Sequence, residues 1–265
     1  MTVTSCCSLA RFSASVAPTW PAPRMMIFMR RARYARPSCG ATSGVRVSPG
    51  PRASCETHSY TAMKEQTMSS IDFYWEPGSP YTYLAATQIG ALARETGTTV
   101  HWKAFLLGKV FQARKMTLPA AIPAKASYMF KDLARWSALY DVPFSMPKVF
   151  PVNSMLASRA GTAAAQQGQG EAAALALLGA YWGRGEDISQ PEIVHAALDA
   201  AGLDGAALMA ATQTDAVKDV VRSNTEAAMD LGIFGAPTMV YQGELFWGND
   251  RLDVLKAVIQ GRIKA

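Results

Sequence analysis

The chain has 265 residues, of which 49% are hydrophobic and 17% charged, an ordinary composition for a globular protein that buries a core. Its formal net charge of +6 comes from residues 1–67, which hold nine basic and two acidic residues. The remainder is close to neutral, with 17 basic against 18 acidic residues. The remainder therefore gives no electrostatic reason to expect a nucleic acid or an anionic membrane as a partner.

Residues 1–67 are rich in Ser, Pro, Arg and Gly and show no sustained hydrophobic periodicity, which predicts a disordered segment. An Arg-rich, acid-poor composition is also typical of a mitochondrial targeting segment. Because several prolines interrupt any amphipathic helix there, we favour an upstream extension, with Met68 as the natural start. We accordingly expect a cytoplasmic protein, with a mitochondrial location as the alternative.

All four cysteines, Cys6, Cys7, Cys39 and Cys55, lie in that same segment. Residues 68–265 therefore contain no dithiol redox centre, disulfide or cysteine zinc site. Nor does any stretch approach the roughly 18 uninterrupted apolar residues expected of a membrane helix.

The most informative stretch begins at residue 71, where apolar and other residues alternate up to residue 76, as in a strand with two different faces. Pro77 and Gly78 end this strand. Ser79 is a favourable N-cap, and Pro80 stands at the first position of a helix with apolar residues at helical spacing. The first turn of a helix presents unpaired N–H groups, so an anion placed beside Ser79 would be stabilised.

The rest of the chain supports an α/β protein interrupted by helices. A second strand over residues 98–105 implies a parallel pair with the first strand. We predict a loop over residues 108–123, and then helices over residues 125–140, 153–167, 171–184, 191–201 and 215–231. After a turn at residues 235–237, the sequence predicts a hairpin of strands 238–241 and 244–247, closed by a helix over residues 250–263.

Five stretches in this order carry a resemblance to a known family: DFYWEPGSPYTYLAA, WKAFLLGKVFQA, PAKASYMFKDLARW, FGAPT and WGNDRL. From about residue 70 onward the chain resembles the glutathione-dependent 2-hydroxychromene-2-carboxylate isomerases, relatives of the kappa-class glutathione transferases. The resemblance implies an α/β fold, namely a thioredoxin-like domain of the DsbA and kappa type with an inserted all-helical domain. The implied parts are residues 68–110 and 223–265 for the thioredoxin-like halves and 111–222 for the insertion.

The resemblance also implies roles at the strand-to-helix junction. Ser79 stands where thioredoxin-type proteins place the attacking cysteine, and as the catalytic residue it would hold the thiolate of bound glutathione. Pro237, which could simply end a helix, is similar to the family's cis-proline. The N–H and C=O of Ala236 would then be unpaired and ready to bind the cysteinyl backbone of glutathione.

Three further cofactor-binding residues follow from the same resemblance. Asn249 and Asp250, ordinarily an N-cap pair of the last helix, would bind the γ-glutamyl group. Lys125, by default a solvated lysine, would reach the glycyl carboxylate. We expect no metal, because His101 and His195 have no partner at ligand spacing and are interpreted as structural.

The resulting hypothesis is a glutathione-dependent isomerase that converts 2-hydroxychromene-2-carboxylate, or a related intermediate of aromatic catabolism, to trans-o-hydroxybenzylidenepyruvate. Its partners would be glutathione and a small aromatic carboxylate, and a homodimer is compatible with it. One departure bears on the substrate: an Asn that often follows the LLG-x-x-F segment is missing, with Arg114, Lys115 and Met116 in that region. The alternatives are a kappa-like glutathione transferase and a DsbA-like domain without redox cysteines that binds peptides or partners.

Overall fold

The computed structural model describes residues 69–264, so the extension or targeting segment predicted for residues 1–67 lies outside the described residues. The helices and strands are, in chain order, β1 (Ser70–Trp75), α1 (Pro80–Thr96), β2 (Thr99–Ala104), α2 (Leu107–Ala113), α3 (Pro123–Leu139), α4 (Met155–Gln166), α5 (Gly170–Leu178), α6 (Pro191–Ala200), α7 (Gly205–Ala211), α8 (Asp215–Asp230), β3 (Thr238–Tyr241), β4 (Glu244–Trp247) and α9 (Leu252–Ile259).

The strands form one sheet in the order β2-β1-β3-β4. As predicted, β1 and β2 are parallel, with Phe73 opposite Trp102, whereas β3 runs antiparallel to both of its neighbours. The hairpin between β3 and β4 turns at Gln242 and Gly243, which both have positive φ angles, of 52° and 85°. This is the backbone geometry that matches the twist of a two-residue hairpin.

Strand β1 is buried on both faces, which explains why aromatic side chains lie on each of them. Ile71, Phe73 and Trp75 are fully buried in a core shared with α1, α4 and α5. Tyr74 faces the opposite side and packs with Phe105 in a second, smaller core. The site at the end of β1 is therefore held by packing from both sides of the sheet.

Most of the helices lie between β2 and β3 in the chain, which confirms the predicted thioredoxin-like fold with a helical insertion. Trp182 lies near the centre of this insertion, in a single π-helical turn, Gly179–Gly183, that continues α5. Its ring stacks on Phe144 with a centroid distance of 6.0 Å, and its indole N–H donates to the carbonyl of Pro77 at 2.9 Å. The helical insertion thus contacts the turn that precedes Ser79 directly.

Two local predictions were wrong, and α7 was not predicted. Residues 108–123, predicted as a loop, contain most of α2 and a 3-10 turn, Pro119–Ala121. Helix α2 buries only Val110 and α7 buries only Gly205 and Leu208, so neither produces a long apolar periodicity. The last helix is also shorter than predicted, because Gly261 takes a left-handed conformation with φ 67° just after α9.

The proposed boundaries at residues 110/111 and 222/223 stay a prediction. The second falls within α8, which contacts both β2 of the sheet and α4 of the helical region. Over residues 69–264, no helix combines the length and apolar character needed to cross a membrane.

Candidate active site at the β1–α1 junction

Ser79 is the N-cap of α1, as predicted. Its backbone is extended, with φ −95° and ψ 117°, and its hydroxyl oxygen accepts the N–H of Thr82 at 3.3 Å. The first turn of α1 contains no acidic residue, so its own sequence does not neutralise the positive end of the helix. Ser79 is 8% exposed and lines a cavity.

The bond between Ala236 and Pro237 is cis, which confirms the conformation expected of Pro237. The expectation that the carbonyl of Ala236 is unpaired was wrong, because it accepts the Ser79 hydroxyl at 2.9 Å. The N–H of Ala236 has no hydrogen-bond partner among residues 69–264. Because a serine hydroxyl has one proton to donate, a ligand anion and this carbonyl would compete for it.

The cavity has a volume of about 1070 Å³. Ser79, Ala236 and Lys125 all line it, so the fold brings these three predicted site residues together. The other walls come from parts of residues 106–120, 124–129 and 150–155, together with Phe234 and Trp247. Most of these side chains are apolar, and among the lining residues Lys109 and Lys125 carry positive charge.

The remaining predicted site residues do not line the cavity. Asn249 and Asp250 are not N-caps, because Gly248 precedes a 3-10 turn that begins at Asn249. Asn249 is 3% exposed, and its side-chain N–H group has no partner among residues 69–264. Asp250 is half-exposed and pairs with Arg251 at 3.1 Å. Neither residue lines the cavity, and Pro237 does not either.

Tyr81 connects the cavity with the Asp250 region. Its phenol donates to Asp132 of α3 at 3.0 Å, which ties α3 to the start of α1. Burial, followed by the hydrogen bond and charge of Asp132, raises the pKa of Tyr81, and Asp250 adds a smaller contribution. Tyr81 is therefore a neutral hydrogen-bonding group at neutral pH.

Comparisons with known proteins show which family the chain belongs to. A family model described as a DSBA-like thioredoxin domain matches residues 70–260. A 2-hydroxychromene-2-carboxylate isomerase of Sphingobium xenophagum is 32% identical over 192 residues, which cover 72% of this chain and 97% of that protein. The chain belongs to the 2-hydroxychromene-2-carboxylate isomerase family.

Within it, a solved 2-hydroxychromene-2-carboxylate isomerase structure matches this chain with a TM-score of 0.64 and 30% identity, covering 73% of this chain and 95% of that one. More distantly, glutathione S-transferase kappa 1 of Rattus norvegicus is 26% identical over 70% of this chain and 88% of its own length.

Sequence reasoning missed one polar residue of this isomerase-family site, Glu76. It follows the last residue of β1, is 8% exposed, and lines the cavity three residues before Ser79. Its carboxyl accepts a hydrogen bond from the hydroxyl of Ser154. Burial raises the pKa of Glu76, and the hydrogen bonds from Ser154 and the Gly78 N–H only partly oppose this. An acidic residue at the end of an otherwise buried strand was the available sequence signal.

Glu76 predicts a pH dependence of stability. Since its pKa is raised from the ordinary value of 4.5, the folded state keeps the proton at pH values where the unfolded chain has lost it. This stabilising contribution is complete below about pH 4.5 and is lost as the pH rises through the folded-state pKa. The free energy of unfolding of the wild type relative to Glu76→Gln should therefore decrease between pH 4 and 8, as measured by urea titration. A constant difference for Glu76→Gln would contradict the assignment.

The described residues contain no group of three His, Cys, Asp or Glu side chains arranged to hold a metal. The site offers hydrogen-bond donors at a helix N-terminus, two lysines and a buried acid whose pKa is raised, all around an apolar cavity. Such a site can bind an anion and hold an aromatic compound beside it.

Proposed function

We propose that the protein is a glutathione-dependent isomerase of 2-hydroxychromene-2-carboxylate or a related intermediate of aromatic catabolism. One observation carries the proposal: the Ser79 hydroxyl, at the N-terminus of α1 and 2.9 Å from the Ala236 carbonyl, opens onto a cavity of about 1070 Å³. Curated isomerases of this name match nearly their full length, and the name of a kappa-class relative supports glutathione as the thiol.

In this proposal Ser79 binds the sulfur of glutathione as a thiolate. The hydroxyl proton turns from the Ala236 carbonyl to the sulfur, and the positive end of α1 adds to the stabilisation. Both effects favour the charged form of the thiol and lower its pKa. Because residues 68–265 contain no cysteine, bound glutathione supplies the nucleophile.

The rest of the tripeptide is assigned to groups around Ser79. The free N–H of Ala236, before cis Pro237, pairs with the cysteinyl backbone of glutathione as an added strand would. Lys125 receives the glycyl carboxylate. Asn249, whose buried side-chain N–H group lacks a partner within residues 69–264, and Asp250 receive the γ-glutamyl group after a local rearrangement of the wall around Tyr81.

The cavity volume of about 1070 Å³ lies at the top of the range of about 300 to 1,000 Å³ for small-molecule sites. In the proposal, glutathione and a small aromatic acid share it. Phe111, Met116 and Met129 give this space apolar walls, and Lys109 offers a charge to a carboxylate. Met116 lies in the region where the family often has Asn, so the aromatic group of the substrate meets a more apolar wall here.

The ring of the substrate first opens: its ring carbon–oxygen bond breaks, the hydroxyl on that carbon becomes a ketone, and the hydroxyl proton goes to the phenol oxygen. The thiolate then adds to the conjugated system, so that the carbon–carbon double bond becomes single. That bond rotates, and elimination of the thiolate restores the double bond in its new geometry. Glutathione is regenerated. A kappa-like transferase would use the same thiolate but displace a leaving group from an electrophile.

Titration calorimetry with glutathione tests the proposal, because binding should release a proton as the thiol ionises. The heat at neutral pH should then depend on the ionisation enthalpy of the buffer for glutathione and not for S-methylglutathione, which has no thiol proton. Turnover of 2-hydroxychromene-2-carboxylate that requires glutathione should accompany binding. Glutathione conjugation of a chlorinated aromatic without isomerisation would favour the transferase, and no glutathione binding would favour a peptide-binding domain.

The cytoplasmic location and the homodimer stay predictions.

A further inference from the structure

We infer that Glu76 is a further catalytic residue, a carboxylic acid that gives its proton to the ketone oxygen of the ring-opened substrate when the thiolate adds and takes it back on elimination. This inference rests on the proposed isomerase function and adds a residue to the same site. It starts from the position of Glu76 in the cavity wall, three residues before Ser79 in the chain, where its carboxyl accepts the hydroxyl of Ser154, another lining residue.

The surroundings of Glu76 favour the uncharged form of its carboxyl. It is 8% exposed, and within residues 69–264 no Lys, Arg or His forms an ion pair with it. The phenol of Tyr181 is near enough for the charge of Glu76 to affect its pKa. This phenol donates to the Val149 carbonyl at 2.7 Å and brings no positive charge. A carboxyl group buried without a cation favours its protonated form, consistent with its raised pKa. The lysines of the same cavity, Lys109 and Lys125, make no contact with it below 4.0 Å.

Glu76 and Gly78 both line the cavity. A side chain at position 78 would meet the Glu76 carboxylate oxygens at 3.1 and 3.4 Å, so the carboxyl lies directly against the backbone of Gly78. The carboxyl and the Ser79 hydroxyl therefore lie on the same short turn, with no intervening side chain at Gly78. A ligand that places its reacting carbon beside a thiolate at Ser79 can place a conjugated oxygen beside Glu76.

The proton and electron changes balance over the cycle. As the sulfur–carbon bond forms, the electron pair of the carbon–carbon double bond moves through the conjugated system to the carbonyl oxygen, and Glu76 gives that oxygen its proton. An enol and a Glu76 carboxylate result. After rotation, the enol proton returns to Glu76, the double bond re-forms and the sulfur–carbon bond breaks. A neutral acid aimed at an oxygen that gains charge is a recognised way to stabilise such a transition state.

The test compares the wild type with Glu76→Gln, Glu76→Asp and the control Glu226→Gln. In the wild type, kcat should fall at low pH as the thiolate is protonated and at high pH as Glu76 ionises. Glu76→Gln should lower kcat by about tenfold to a hundredfold and remove the high-pH fall, because the amide donates a weaker hydrogen bond and does not ionise. Glu76→Asp should recover part of kcat together with the high-pH fall, and Glu226→Gln should match the wild type.

Glutathione affinity, measured by calorimetry, separates this inference from the proposed function. We expect Glu76→Gln to bind glutathione within about twofold of the wild type, because the carboxyl does not contact the tripeptide in this assignment. A wild type that isomerises, combined with a Glu76→Gln variant that keeps either full kcat or the high-pH fall, would overturn the inference and leave the proposed function standing. A wild type that neither binds glutathione nor isomerises would remove both.

Discussion

Replacing Ser79 with Ala is expected to lower kcat by about tenfold to a thousandfold, the range for loss of a preorganised anion contact. The variant loses the hydroxyl that donates to Ala236 in the free protein and, in the proposed complex, to the thiolate. The thiol pKa of bound glutathione should rise, because one stabilising contact of the charged form is gone. Titrating the thiolate absorbance of the glutathione complex against pH measures this directly.

The difficulty with Ser79 is that it is also a cap, and loss of a cap costs about 1 kcal/mol of stability. Thr214→Ala is the matched control, since the Thr214 hydroxyl caps α8 by accepting the N–H of Val217, and Thr214 does not line the cavity. The free energy of unfolding should fall by a similar amount in both variants, but only Ser79→Ala should have a lower kcat. An unshifted thiol pKa in Ser79→Ala would show that Ser79 is only a cap.

Replacing Trp182 with Ala is expected to destabilise the protein by about 3 to 5 kcal/mol. Trp182 is 1% exposed, and its ring contacts Phe144, Phe150 and Tyr181 with centroid distances of 6.0, 5.8 and 4.6 Å. Truncation leaves a large cavity among aromatic rings that cannot all move inward, and it also removes the hydrogen bond to the Pro77 carbonyl. Urea unfolding followed by circular dichroism measures the loss.

Trp182→Phe separates packing from the hydrogen bond. Phenylalanine keeps most of the apolar contact but leaves the Pro77 carbonyl without its donor, so we expect a loss of about 1 to 3 kcal/mol. Because Pro77 belongs to the turn that positions Ser79, this variant should also weaken glutathione binding. Trp136→Phe on α3 should not weaken it. A Trp182→Ala variant that loses less than about 1 kcal/mol would show that the insertion does not support this turn.

Local signals in the sequence predicted the parts of the site that one short segment builds alone. The alternation of β1, the Pro-Gly stop and the N-cap at Ser79 all depend on residues within a few positions of each other, and the hairpin at Gln242 and Gly243 does too. The structure has each of them where the sequence placed it. Such signals do not depend on what packs against them, because φ preference, capping and side-chain alternation are properties of the local backbone.

Only the tertiary structure decided which groups far apart in the chain meet each other. The Ser79 hydroxyl bonds to the carbonyl of Ala236, 157 residues later, and the Glu76 carboxyl meets Ser154, 78 residues later. The same packing left Asn249 and Asp250 outside the cavity lining and made α2 helical around one buried residue. A carbonyl that is free in an isolated turn is paired once another element packs against it, and the pKa of an acid is raised where the surrounding residues bury it. The sequence therefore determined the strand-to-helix junction at Ser79, and tertiary packing determined its hydrogen-bond partners, its cavity and the raised pKa of its acid.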